Sequence, residues 1–564
     1  MKRLRLSPPV LFLSLCAAAD ASAEAPADLA MTVTTAHVLP SVRTAEALAR
    51  KLSPSMSQLK LEAMANVFLG LDRAMGEALE GPVDLALLKG AEGDFVGAGA
   101  FSVAWKDPSK LRGIGAANGE GVRPVPLDAT PILQQLAAQP TVGSEGACAL
   151  HPSPAAPGYR LVCASNAATL AKLGGYLARE VALEAHDLDV AARFPVSKMM
   201  VDVDASPMTG EPNALENAAA DDMKALARDT ASAAIGVGWD ANELSFAVDA
   251  RFKSQTSTTT KLLLSADGHG RSVPSLLERL PTDTLVFGTT GGFDPTVSRD
   301  LAQRGLTLAT DGSDPAGVVV LRPIVDAVAS HGLASSLAVG LDTKRALAAV
   351  EALRKKPTDE ALRRRASRAL TPWVVLEADG LQDNLAVLES AMALSDTAKV
   401  LAPAKGSKWP AQAKAWTLDD GSALVAMPTA TSLMVVFASD ASVVQEKLKL
   451  VTATTGARMA LTQETRDAFR DKPAAAVVVT DRVGDLAGLS IDEDALADTV
   501  KALREDAKKK GPAAQIPMVV TVKKGSAATD WQGSIRGDAR YPVKALQAIT
   551  KGAKGFSKGL FRSL

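Results

Sequence analysis

The sequence predicts an α+β chain built from two homologous halves, each with antiparallel strands and hairpins covered by helices. Three observations carry this expectation. Short strand-length apolar runs alternate with stretches of helical period, hairpin-type turns separate several of them, and three segments of the first half recur in the same order in the second. A length of 564 residues exceeds one core at roughly 100–200 residues per domain. With 47% hydrophobic and 22% charged residues, the composition excludes a disordered, collagen-like or multi-span membrane protein.

The N-terminus carries Lys2, Arg3 and Arg5, then an apolar run over residues 10–19, then Ala21-Ser22-Ala23. This is the layout of a secretory signal with cleavage after Ala23, and the run is too short to span a bilayer. The expectation is therefore an exported protein, periplasmic or extracellular. Lipidation at Cys16 is the lesser reading, because Leu15 is bulky where a small residue normally precedes a lipidated cysteine. No later stretch is both uncharged and long enough to cross a membrane.

Residues 26–42 align without gaps on 281–297, sharing Pro26/Pro281, Asp28/Asp283, Thr34/Thr289, Thr35/Thr290, Pro40/Pro295 and Val42/Val297. Further on, Val162-Cys-Ala-Ser-Asn-Ala167 matches Val436-Phe-Ala-Ser-Asp-Ala441, and Asp249-Ala-Arg-Phe252 matches Asp538-Ala-Arg-Tyr541. The offsets only grow, from 255 through 274 to 289, so small insertions in the second copy account for them. The organisation read from this is a signal peptide (1–23), a first half (24–265), a linker (266–280), a second half (281–541) and a C-terminal basic amphipathic helix (542–564).

In the first half, 29–35 is a β run, and Val42, Ala45, Leu48 and Leu52 follow at helical spacing. A strand over 97–105 precedes Asp107-Pro108, which opens a helix. Next come a hairpin and helix around Cys163, a strand over 198–204, a polar helix over 214–228 and a hairpin turning at Asp240-Ala-Asn242. The second half repeats the order. A strand over 336–341 runs into Asp342 as a helix start and is set against 97–105. A hairpin covers 423–437. A helix over 494–510 has acids early, lysines late and Gly511-Pro512 as its stop, and the last hairpin turns at Lys524-Gly525-Ser526.

Cys148 and Cys163 are the only cysteines left after signal cleavage, and export favours their oxidation. If 147–151 pairs with 159–164 about the Pro154-Ala-Ala-Pro157 turn, their positions sum to 311 and they stand directly opposite each other, in bridging range. A disulfide is expected.

Catalytic and metal motifs are sparse. The five histidines are at least 35 residues apart, and no Cys-x-x-Cys, His-Glu-x-x-His, phosphate loop or Gly-x-Ser-x-Gly occurs, so no metal site or cofactor is expected. Ser57 and Lys60 have the spacing of a serine acyl-transfer pair, but the companion Ser-Asp-Asn and Lys-Thr-Gly are missing. Charges nearly cancel, 62 basic against 63 acidic, and aromatics are 4%, so nucleic acid is not an expected partner. Positive charge is local. Arg354, Lys355, Lys356, Arg363, Arg364, Arg365 and Arg368 crowd one stretch, and the last four are candidates for binding an anion. From Pro542 onward Val543, Leu546, Ile549, Ala553, Phe556, Leu560 and Leu564 recur every three or four residues. Lys551, Lys554, Lys558 and Arg562 lie mostly off that stripe, as candidates for contact with a partner or an anionic membrane surface.

These readings point to a non-catalytic exported cell-envelope protein whose two related halves bind a ligand or partner along the groove between them. An exported serine hydrolase using Ser57 and Lys60, or a purely structural scaffold, are the alternatives.

Overall fold

The structure is a computed structural model that describes residues 25–52, 81–90, 97–106, 123–125, 147–155, 158–164, 166–183, 188–196, 214–266, 273–309, 315–394, 398–400, 409–418, 420–453, 458–479, 482–483, 486, 489–493, 495–508, 514–525 and 532–547. It is α+β, and the chain divides into two compact units, Met1–Val201 with Ser232–Ala241, and Asp202–Ala231 with Asn242–Leu564.

Unit 1 runs β1 (Leu29–Thr35), α1 (Val38–Leu52), β2 (Val83–Leu88), β3 (Gly99–Ala104), β4 (Arg123–Val125), β5 (Ala147–Pro152), β6 (Tyr159–Ala164), α2 (Ala167–Arg179), β7 (Val190–Phe194) and most of β8 (Thr230–Trp239). The pairings are antiparallel and give the order β8-β7-β1-β2-β3-β6-β5-β4. Strand alternation drives the layering, with Asp84, Ala86 and Leu88 of β2 turned inward and their neighbours half-buried. The inward side chains Leu29, Ala86, Leu88, Ala100, Val162 and Ala164 pack under Leu173, Leu177 and Ala178 of α2. That helix starts where the Ser-Asn signal places it, with Asn166 Oδ1 accepting from Thr169 N at 2.8 Å, a cap worth about 1 kcal/mol.

Unit 2 comprises α3 (Ala214–Asp229), β9 (Glu243–Phe252), α4 (Thr258–Ser265), β10 (Thr284–Thr290), α5 (Pro295–Ala309), α6 (Pro315–Ser330), β11 (Ser335–Gly340), α7 (Thr343–Lys355), α8 (Glu360–Ala369), β12 (Trp373–Asp379), α9 (Leu385–Leu394), β13 (Ala398–Val400), β14 (Lys414–Leu418), β15 (Ala423–Pro428), β16 (Ser432–Ala438), α10 (Ala441–Thr452), α11 (Gln463–Ala468), β17 (Ala474–Val479), α12 (Leu496–Lys508), β18 (Gln515–Lys524) and β19 (Gly533–Pro542). Its antiparallel order is β9-β19-β18-β17-β10-β11-β12-β16-β15-β14-β13. Strand β9, which the sequence order puts at the end of the first half, thus lies beside β19 in full register, from Glu243 with Pro542 to Phe252 with Gly533.

The main core of unit 2 sets Phe287, Trp373, Val375, Val425, Met434, Val436 and Val477 of the sheet against Val443, Val444, Leu448 and Val451 of α10, with Phe469 closing one side. A Cβ at Gly340 would lie 2.1 Å from the indole of Trp373, its partner across the β11–β12 ladder, so only glycine fits beneath that ring. A second cluster joins three helices through Ala346, Ala349, Val350 and Leu353 of α7, Ala366 and Ala369 of α8, and Leu496, Val500 and Leu503 of α12.

Several element limits match the sequence reading to within two residues: β3 within 97–105, α3 against 214–228, β11 against 336–341 and α12 against 494–510. The helix opened by Asp107-Pro108, the strand over 198–204, Ser57 and Lys60 lie outside the described residues. So do Lys551, Lys554, Lys558 and Arg562; of the C-terminal helix only 543–547 is described, and it is helical with Ala545 buried. No helix among the described residues is long and apolar enough to cross a membrane.

Candidate functional site

The basic stretch between Arg354 and Arg368 forms a helical hairpin. Helix α7 begins at Asp342, whose Oδ1 accepts from Arg345 N at 3.1 Å, and α8 begins at Asp359, whose Oδ1 accepts from Ala361 N at 3.0 Å and Leu362 N at 3.1 Å. Both aspartates satisfy amides that a helix start leaves unpaired and sit at the positive end of its dipole. Burial of Ala366 and Ala369 against α7 and α12 fixes the rotation of α8. Positions 364, 365 and 368, roughly opposite on a 3.6-residue period, are left exposed.

Those arginines converge on a cavity of about 350 Å³. It is lined by Ala361, Arg364, Arg365, Arg368 and Ala369 of α8, by Arg345, Ala348 and Ala349 of α7, and by Ser439 and Asp440 of the turn between β16 and α10; Ala349 and Ala369 are buried, Ala348 and Ala361 exposed. The four alanines of the lining leave space that larger side chains would fill.

Two of the four guanidinium groups are already engaged. Arg345 is ion-paired with Asp440 and donates from Nη1 to Ser442 Oγ at 2.7 Å. Asp440 in turn caps α10, its Oδ1 accepting from Ser442 N at 2.9 Å and Val443 N at 3.2 Å. Arg368 lies against the tight turn between β14 and β15, where Gly421 has φ +79°; a Cβ there would meet the Arg368 guanidinium at 3.0 Å. Beside it, the Ser422 hydroxyl and backbone amide, helped by the charge of Arg368, hold the Asp420 carboxyl below the usual carboxylate range. Among the described residues no ion pair within 4 Å involves Arg364 or Arg365.

Of the four arginines singled out from the sequence, three line this cavity. Arg363 does not: it is half-buried and donates from Nη2 to Pro357 O at 3.5 Å, near the hairpin turn. Sequence reasoning missed Arg345 and Asp440 as members of the site. The one signal for Asp440 was its place in the Ser-Asp helix start, read there only as a cap; Arg345, isolated in sequence from the basic run, carried none.

The other pair named from the sequence, Cys148 and Cys163, is joined by a disulfide, with Cα atoms 4.0 Å apart and directly opposed in the β5–β6 ladder. Among the described residues no group of three or more His, Cys, Asp or Glu side chains is arranged to hold a metal.

No family model matches this chain, and no curated protein does. Among solved structures it is similar to crystal form III of TP0453, at 10% identity and a TM-score of 0.23, over 49% of this chain and 96% of that one.

Proposed function

We propose that this is a non-catalytic exported protein of the cell envelope that binds an anionic ligand at the α7–α8 hairpin, on a scaffold that arose by internal duplication. The observation that carries the binding reading is the cavity lined by four arginines and four alanines, with Arg364 and Arg365 outside any ion pair among the described residues. Guanidinium groups present planar paired donors that suit carboxylate and phosphate oxygens.

The duplication is supported by strand order. In unit 1 the run is β8-β7-β1-β2-β3-β6-β5, and in unit 2 the same positions read β18-β17-β10-β11-β12-β16-β15. The aligned aspartates behave alike as well: Asp28 is ion-paired with Lys172 of α2, and Asp283 with Lys447 of α10. On this alignment β11 stands where β2 does and β12 where β3 does, which shifts the sequence match of 97–105 with 336–341 by one strand.

Thermal unfolding of the purified protein with increasing inorganic phosphate tests the binding reading. A rise in Tm that disappears in Arg364→Ala/Arg365→Ala is the expected result. Covalent labelling by a fluorophosphonate or a β-lactam that is lost in Ser57→Ala would overturn the non-catalytic reading.

A further inference from the structure

We infer that the α7–α8 cavity takes a small organic dianion of the phosphomonoester class, a specification that rests on the anion-binding reading above. Two features of the site lead there. The first is charge: four guanidinium groups line the cavity, Asp440 pairs with one and Asp420 lies near another, which leaves Arg364 and Arg365 outside any ion pair among the described residues. A phosphomonoester carries close to two negative charges at neutral pH and three acceptor oxygens, so it matches both the charge and the paired donors of Arg364 and Arg365. A sulfate monoester has the same shape and only one charge.

The second feature is the apolar part of the lining. Inorganic phosphate alone would engage only the arginines, whereas about 350 Å³ lies at the lower end of the sizes that hold small organic molecules. The methyl groups of Ala348, Ala349, Ala361 and Ala369 offer that space an apolar surface with no polar group to satisfy. An anion with a compact apolar substituent fills both parts of the cavity, with its charged head at the guanidinium groups and its substituent over the alanines.

Isothermal titration calorimetry of the full protein tests this with phenyl phosphate, phenyl sulfate and inorganic phosphate as probes. The expected result is that phenyl phosphate binds at least about tenfold more tightly than either of the others, tenfold being about 1.4 kcal/mol. Arg364→Ala/Arg365→Ala abolishes that binding. Ala348→Leu, on an exposed helix position that folding tolerates, weakens phenyl phosphate at least about fivefold and leaves inorganic phosphate unchanged. Equal affinity for phenyl phosphate and inorganic phosphate, or indifference to Ala348→Leu, overturns the organic ligand while the anion reading stands. Equal affinity for phenyl sulfate and phenyl phosphate overturns the dianion. Absence of heat with all three, together with no phosphate-dependent rise in Tm, overturns both readings.

Discussion

Cys148 and Cys163 face each other across the β5–β6 ladder and close a disulfide, whereas Leu424 and Phe437 face each other across the β15–β16 ladder. The first hairpin is closed by a covalent bond, and the second carries two apolar side chains at opposed positions. The bond joins residues 15 apart, and on the chain-entropy model a loop of that size is stabilised by about 3 kcal/mol. Cys148→Ser/Cys163→Ser is therefore expected to lower unfolding stability by roughly that amount. Denaturant unfolding of wild type and variant, each with and without reductant, checks it: reductant should move only the wild type. Two free thiols per chain in unfolded, unreduced wild type would refute the bridge.

Asp84 and Arg160 form an ion pair inside unit 1, 2.9 Å apart with side chains 0% and 1% exposed. Arg160 also donates from Nη1 to Pro82 O at 3.2 Å. Burial pulls the guanidinium down from its ordinary value, and Asp84 works in the other direction. Removing one partner strands a buried charge, so Asp84→Ala should cost about 3–5 kcal/mol. The double variant Asp84→Leu/Arg160→Met removes both charges and should recover most of that loss. Chemical denaturation of the single and double variants decides it.

His151 of β5 has its pKa lowered to about 4, first by burial and then by the charge of Arg179. An imidazole that stays neutral in the fold and charges in the unfolded chain stabilises the protein fully above the unfolded value of about 6.5. That contribution is lost as pH falls from 6.5 towards 4. His151→Gln should flatten the fall in Tm between pH 7 and pH 4.5 relative to wild type; an unchanged slope would show that His151 does not set it.

Asp229, at the end of α3, receives hydrogen bonds from Ser254 Oγ at 2.7 Å, Thr256 N at 2.9 Å, Thr256 Oγ1 at 2.7 Å and Ser257 N at 2.8 Å. Burial pushes its carboxyl up, but these donors outweigh burial and hold it well below the usual range. Its stabilisation is present above the unfolded value near 3.9 and is lost as pH falls below that. Asp229→Ala should cost at least about 2 kcal/mol at pH 7, since hydrogen bonds to charged groups contribute about 1.5–3 kcal/mol each and do not add fully. Urea unfolding at pH 7 and pH 3 reads both effects, and the difference between variant and wild type should shrink at the lower pH.

Asp440 serves two ends, as cap of α10 and counter-ion of Arg345. Asp440→Ala should lower stability by about 1 kcal/mol through the lost cap. It should also tighten phosphate binding by freeing Arg345. Calorimetry on the variant that shows weaker binding would place Asp440 among the groups that hold the ligand instead of opposing it.

Local pattern was enough for much of this protein. Alternation and turn residues marked the β5–β6 hairpin closely enough to put Cys148 opposite Cys163, because an antiparallel ladder obeys a simple sum once its turn is known. The Ser-Asn and Ser-Asp helix starts were equally readable, since a cap satisfies amides two or three residues away. The arginine run announced local positive charge but not a cavity. Which arginines share it depends on how α8 is rotated by burying Ala366 and Ala369, and that rotation sends Arg363 to the hairpin turn while Arg364, Arg365 and Arg368 line the cavity. Arg345 and Asp440 join only because α7 and the start of α10 are brought together in space, 95 positions apart in the chain. Likewise β9 and β19 are neighbours through a ladder spanning nearly 300 residues. Hydrogen-bond caps and strand alternation act within a few residues and are written locally; helix rotation, ion pairs across the fold and strand neighbours are chosen by packing, which no single segment specifies.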